Sequence, residues 1–263
     1  MIELSEVAVD IGPKRIVSDV TFRAEAGQVT AIVGPNGSGK TTLLKAISGE
    51  WAYRGSISLA GRELGTMKPW EMAGLRAVLP QATTLAFPFT VLEIVRLGLT
   101  SGRSGVEGAA LHVLTEEALE RVDLAGFAGR FYQELSGGEQ LRVQLARVLC
   151  QVWQPVLDGQ ARFLLLDEPV SSLDIKHQLI IMGIARDFAN AGGGVIAILH
   201  DLNLTAMFAD RIVMMHRGRA EAAGKPADVL VDERISRVFE CDLRVGVTPA
   251  AGAPFVLPQS ATL

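Results

Sequence analysis

The octapeptide Gly34-Pro35-Asn36-Gly37-Ser38-Gly39-Lys40-Thr41, followed by Thr42, constrains this chain more than any other stretch. It fits G-x-x-x-x-G-K-[ST]. Glycines let successive backbone N–H groups turn inward on an anion, the Lys40 ammonium reaches terminal phosphates, and the Thr41 hydroxyl is placed to ligate Mg²⁺. Such a cradle works only between a strand and a helix. The short β-rich run from Gln28 to Val33 precedes it, and a helix from Lys40 to Ser48, closed by Gly49, follows it. These residues specify a bound nucleoside triphosphate and do not choose among the machines that use one.

The rest of the chain alternates strand and helix signals, the pattern of an α/β fold around a parallel sheet. Strands are expected at Ile2 to Asp10 and Val17 to Ala24, with the turn pair Gly12-Pro13 between them, and at Gly55 to Leu59 before a turn at Ala60-Gly61. A short strand from Ala77 to Pro80 leads to Gln81. Phe163 to Asp167 and Val195 to Leu199 are continuous apolar runs of strand length, as strands buried on both faces require. From about Val91 to Leu149 the apolar period becomes helical, and a further helix spans Ile175 to Asn190. A strand at Arg211 to Met215, a turn at Gly218 and a tail of short strands broken by Pro249, Pro254 and Pro258 complete the expectation.

At 263 residues the chain can bury one sizeable core, and a single domain over 1–263 is expected. Its net charge of −4 provides no bulk positive field, so nucleic acid is not an expected partner. Cys150 and Cys241 lie far apart without metal-ligand spacing, as in proteins of reducing compartments. No run of 18 apolar residues occurs, so the chain is not expected to span a membrane. Hydrophobic residues nevertheless make up 49% and mean hydropathy is +0.29, which favours some apolar surface being covered by partners.

Several residues carry chemistry beyond the cradle. Asp167 ends an apolar strand, where a carboxylate can hold Mg²⁺, and Glu168 after it is placed to act as the general base toward water. Ser136-Gly137-Gly138-Glu139 is a capping box before an apolar-periodic helix. A helix start of this kind offers free N–H groups and positive dipole density to an anion, and two glycines leave room for a phosphate. His200 closes the strand that ends at Leu199.

The cradle, then Leu135-Ser136-Gly137-Gly138-Glu139-Gln140 about a hundred residues on, then Phe163-Leu164-Leu165-Leu166-Asp167-Glu168, resemble in order and spacing the ATP-binding subunit of an ABC transporter. The resemblance covers nearly the whole chain. It implies a P-loop NTPase core with an N-terminal antiparallel β layer and a helical subdomain inserted at about 88–155. Glu168, His200 and Gln81 become the catalytic group: Glu168 polarises the attacking water, His200 contacts the γ-phosphate and orients Glu168, and Gln81 reaches Mg²⁺ and the water. Thr41, Gln81 and Asp167 become the Mg²⁺ residues. Residues 34–42 hold ATP of their own subunit, Ser136, Gly137, Gly138 and Glu139 close over ATP of another copy, and Ser171-Ser172-Leu173-Asp174 crosses the seam of that homodimer. One position departs from the family: where an aromatic residue usually precedes a glycine and stacks on adenine, this chain has Ile11-Gly12.

Leu173-Asp174-Ile175-Lys176-His177-Gln178 and Leu199-His200-Asp201-Leu202-Asn203 look like the iron-chelate, vitamin B12 and haem importers of bacteria, and the extended connection at 151–160 resembles haem importers within that group. The resemblance implies a peripheral ATPase at the cytoplasmic face of the inner membrane. Its partners would be two membrane permease subunits and, through them, a periplasmic haem-binding protein, with siderophore or B12 as the alternative cargo. Phe87, Phe89, Val91, Leu92 and Val95 follow Gln81, and exposed members of that cluster would meet the permease. A soluble ABC ATPase acting on nucleic acid or ribosomes is disfavoured by the single cassette and negative charge. A P-loop GTPase is disfavoured by the lack of an N-K-x-D string.

Overall fold

The computed structural model describes residues 1–81, 87–101, 104–106, 110–248 and 254–261. Two sheets and a helical layer organise them. β1 (Ile2–Ile11) and β2 (Lys14–Ala24) form an antiparallel hairpin across the Gly12-Pro13 turn, followed by β3 (Val29–Val33) and α1 (Lys40–Ile47). Next come β4 (Arg54–Leu59), β5 (Arg62–Glu63), α2 (Pro69–Leu75) and β6 (Arg76–Leu79). Helices α3 (Val91–Ser101), α4 (Ala110–Arg121) and α5 (Gly137–Gln151) precede the β7 (Val156–Leu157) and β8 (Gln160–Ala161) hairpin. The chain then runs through β9 (Phe163–Asp167), α6 (Ile175–Asn190), β10 (Gly194–Ile198), α7 (Leu202–Phe208), β11 (Arg211–His216), β12 (Arg219–Gly224), α8 (Pro226–Val229) and α9 (Asp232–Phe239).

Among the described residues one sheet has the order β2-β1-β4-β5 and a larger one β12-β11-β3-β10-β9-β6. In the larger sheet β11, β3, β10, β9 and β6 are parallel neighbours and β12 is an antiparallel edge. Alternate residues of its central strands enter different cores. Val29, Ala31, Val33, Leu164, Leu166, Val195 and Ala197 pack with the helices of 91–151 and with α6. Ile32, Phe163, Leu165, Ile196 and Ile198 pack with α1 and the antiparallel layer. Burial on both faces explains why these strands read as unbroken apolar runs.

Parallel pairing also builds the site. Because β3, β6, β9 and β10 run the same way, the segments leaving their C-terminal ends all emerge at one edge of the sheet. Asp167 pairs with Ile198, Ile198 with Ile32, and Leu79 with Leu166. The phosphate loop, Gln81, Glu168 and His200 are thereby brought to one place from four distant parts of the sequence.

Other expectations are corrected. The tail is not a set of short strands: α8 and α9 follow β12, and Pro254 and Pro258 lie in irregular chain and a 3₁₀ turn, while Pro249 lies outside the described residues. α9 reads D-E-R-I-S-R-V-F, and its apolar positions Ile235 and Val238 are buried on one face. The 151–160 connection is not wholly extended: α5 continues to Gln151 and a two-stranded hairpin turns at Asp158-Gly159. Val91 and Val95 are wholly buried in the core and cannot meet a partner, whereas Phe87 is 69% exposed.

Candidate functional site

The cradle is shaped by positive-φ glycines. Gly34 has φ +145, and a Cβ there would lie 2.1 Å from the Met215 carbonyl oxygen, so the loop start is pressed against β11. Gly37 has φ +76 with open space beside its Cα, and Gly39 has φ +99 at the N-cap of α1. Lys40 is buried, and its Nζ donates to the carbonyl oxygens of Gly34 at 2.8 Å and Pro35 at 3.0 Å. Burial lowers its pKa, while Glu168 and Asp167 act in the opposite direction. Ser38 Oγ is buried without a hydrogen-bond partner. A buried ammonium, an orphaned hydroxyl and a loop open at Gly37 suit an anionic phosphate chain.

Thr41 Oγ1 donates to Asp167 Oδ1 at 3.2 Å, so the first turn of α1 meets the end of β9. Hydroxyl and carboxylate form an oxygen donor pair of the kind Mg²⁺ prefers. Thr41, Gln81 and Asp167 line one cleft of about 190 Å³ together with Lys45, Ser48, Glu50 and Val78. Lys45 belongs to no motif, although its place four residues after Thr41 puts both on one face of α1.

Burial is the largest influence on Asp167 and raises its pKa, as does neighbouring Glu168; the Thr41 hydrogen bond, Lys45 and Lys40 lower it. A pKa raised in the folded state contributes stability below the unfolded value of about 3.9, and that stability is lost as pH rises through the folded value. Nucleotide-free Asp167→Asn should therefore lose less stability than wild type between about pH 4 and pH 7. Thermal unfolding across that range checks this. The same variant should show a smaller gain in melting temperature on adding Mg-ATP.

Glu168 lies next to Asp167 in the left-handed region, at φ 53. That conformation is uncommon for a residue with a side chain and is found where surrounding structure enforces it. Each carboxylate oxygen has a partner: Gln81 Nε2 donates to Oε2 at 2.9 Å, and His200 Nε2 lies 2.7 Å from Oε1. The two flanking residues come from beyond the ends of β6 and β10. Their side chains fix the carboxylate's direction, and a water beside it would face a proton acceptor held in place.

The start of α5 is built separately. Ser136 Oγ accepts from Glu139 N at 3.3 Å, and Glu139 Oε2 accepts from Ser136 N at 2.8 Å and Ser136 Oγ at 2.7 Å. These bonds hold the Glu139 carboxyl below its usual pKa, the Ser136 hydroxyl contributing most. Gly138 sits against the 171–174 loop, where a Cβ would lie 3.0 Å from Leu173 Cδ2 and 3.3 Å from Ser172 O. A groove lined by Gln81, Gly137, Gln140, Tyr132 and Ser172 joins the helix start to the sheet edge that carries Gln81. Ile11, at the end of β1, is 41% exposed.

Comparison with known proteins points the same way. The family model described as ABC transporter matches residues 17–171. A Hemin import ATP-binding protein HmuV from Mesorhizobium japonicum is 70% identical over 99% of this chain and 99% of its own. The solved dimer of a bacterial ABC transporter cassette is 26% identical, with a TM-score of 0.74 over 86% of this chain and 99% of that one. A post-hydrolysis state bound to ADP and Pi is 25% identical, with a TM-score of 0.73 over the same shares.

Proposed function

The chain belongs to the ABC transporter family, and from that premise we propose that it is the ATPase subunit that energises import of haem across a bacterial inner membrane. The observation that carries the cargo is the full-length likeness to a hemin import ATP-binding protein, at an identity far above that needed to share a fold. ATPase activity follows from the family. The 1–263 chain acts as one domain, with about 88–155 as the helical lobe that receives the permease. No helix among the described residues is long and apolar enough to cross a membrane. Coupling to transport runs through separate permease subunits at the cytoplasmic face, as the family likeness suggests.

Residues 34–42 bind the triphosphate through backbone N–H groups and Lys40. Thr41, Asp167 and Gln81 would hold Mg²⁺, which supplies charge neutralisation along the phosphates. Glu168 accepts the proton of the attacking water, and Gln81 and His200 keep its carboxylate aimed. Ser136, Gly137, Gly138 and Glu139 act on a second copy's ATP, which makes the active form a homodimer with two composite sites. Two permease subunits and a periplasmic haem-binding protein complete the machine. Phe87, beside Gln133, is the most exposed of the five apolar residues Phe87, Phe89, Val91, Leu92 and Val95 and is placed to meet the permease.

The test is ATP-driven uptake into proteoliposomes containing this chain, its permease and the binding protein, with haem, a ferric siderophore and vitamin B12 offered in competition. Haem should accumulate preferentially and only with hydrolysable ATP. Preferential uptake of siderophore or B12 would overturn the cargo while leaving the importer ATPase in place.

A further inference from the structure

His177 lies on the first turn of α6, three residues after Asp174, and takes no part in the site described above. Its ring nevertheless has acidic partners on both sides. Nδ1 is 2.7 Å from Asp174 Oδ1, and Nε2 is 3.3 Å from Asp123 Oδ2. The two carboxylates belong to different parts of the protein. Asp174 caps α6 at the end of the 171–174 loop, its Oδ1 also accepting from the His177 backbone N at 2.9 Å. Asp123 stands just past the end of α4, in the left-handed conformation at φ 58.

Asp123 is a junction. Its carboxylate accepts from Lys176 Nζ at 2.6 Å, and its backbone carbonyl accepts from Arg142 Nη1 of α5 at 2.7 Å. Arg142 also takes the Val122 carbonyl at 3.0 Å and is itself buried. Lys176 and Arg142 are thus the cations around the bridge, and Asp123 and Asp174 its anions. The ring is only 19% exposed although both carboxylates are largely in solvent, so its orientation is set by packing as well as by hydrogen bonds. Either neutral tautomer donates to one carboxylate; only the imidazolium donates to both.

The ends of this bridge matter for position. The 171–174 loop packs on Gly138 at the start of α5, and Arg142 of the same helix fixes the chain at Asp123. The bridge closes a ring of contacts from α5 through Asp123 and His177 to Asp174 and back to α5. We propose that His177 is a positioning residue for ATP hydrolysis: it ties the α6 cap and the 171–174 loop to the end of α4, so that the start of α5 and the catalytic edge keep one relative placement. This rests on the ATPase reading and extends it to a residue outside the cradle and the Gln81–Glu168–His200 group.

Steady-state ATPase kinetics of the full chain test it, with His177→Ala, Asp123→Asn and the double variant compared against wild type and Glu168→Gln. His177→Ala is expected to lower kcat about 3- to 10-fold, an interaction-sized effect. The KM for ATP should stay within about 2-fold because the cradle is untouched. Asp123→Asn, on an exposed side chain, should lower kcat at least as much through loss of both the Lys176 and His177 contacts. The double variant should be no slower than Asp123→Asn, since both substitutions break one bridge. A wild-type kcat in His177→Ala, or additive losses in the double variant, would overturn the proposal. An increase in KM with kcat unchanged would do the same. A wild-type enzyme no faster than Glu168→Gln would instead overturn the ATPase reading on which it rests.

Discussion

Glu168→Gln is expected to lower kcat for ATP hydrolysis by about 10²- to 10⁴-fold, the range for removing a positioned general base. ATP affinity should remain within a few-fold of wild type. The substitution keeps the size of the side chain and its two polar atoms but removes the proton acceptor. Gln81 and His200 approach the two oxygens of Glu168 at 2.9 and 2.7 Å, so the replacement amide still sits between them. The cradle is made by other residues: Lys40, the loop glycines and the Thr41–Asp167 pair. Binding and chemistry therefore separate, and the variant should accumulate in the ATP-bound, dimeric state. Phosphate release reports the first effect, and equilibrium binding with sedimentation reports the second. Hydrolysis at the wild-type rate would show that another group accepts the proton.

Much of this site is legible from sequence because its parts obey local rules. A glycine loop between a buried strand and a helix announces the cradle, and S-x-x-E before an apolar period announces the cap of α5, which the structure forms with both reciprocal bonds. The parallel strands are legible because residues buried on both faces leave no polar alternation. What sequence alone does not convey is assembly across distance. Gln81 and His200 are each ordinary in their own windows, and it is the shared direction of β6, β9 and β10 that brings them to Glu168. The resemblance to a known family supplies that grouping. The left-handed backbone of Glu168 has no sequence signal, because only its surroundings enforce it.

The unread elements are the short ones. β5, β7 and β8 have two residues each, too few for a period of two to register, and α2 has seven. α9 offers only two buried apolar positions in eight residues, and the β-branched Val231, Val245 and Val247 around it favour strands. His177 illustrates a different limit. Its bond to Asp174 is local and comes from helix capping, but its contact with Asp123 spans 54 residues and depends on how α4 and α6 pack.

Lys40→Ala should have the complementary effect to Glu168→Gln, weakening ATP binding by about 10- to 100-fold, as loss of a hydrogen bond to a charged group worth roughly 1.5–3 kcal/mol implies. In the structure Lys40 is only 6% exposed, and its ammonium is held by the carbonyl oxygens of Gly34 and Pro35. Those carbonyls are weaker partners than phosphate oxygens, so the lysine is stationed in the loop with its strongest interaction still to be made. Its charge is a burden to the nucleotide-free fold. A lysine whose pKa is lowered by burial opposes folding in its protonated form, in full at neutral pH, and the burden eases only as pH rises toward the lysine range. Alanine removes that burden but takes one donor from each of the Gly34 and Pro35 carbonyls, of which Pro35 O keeps the Ser38 backbone N–H, and these changes act in opposite directions on stability. The melting temperature without nucleotide should consequently move little, while the rise produced by saturating Mg-ATP in wild type should shrink sharply at the same ligand concentration. Calorimetric titration and thermal unfolding read the two quantities. Equal ATP affinity in Lys40→Ala and wild type would remove Lys40 from the binding role, whereas a large fall in melting temperature without nucleotide would show that its two carbonyl contacts hold the loop together.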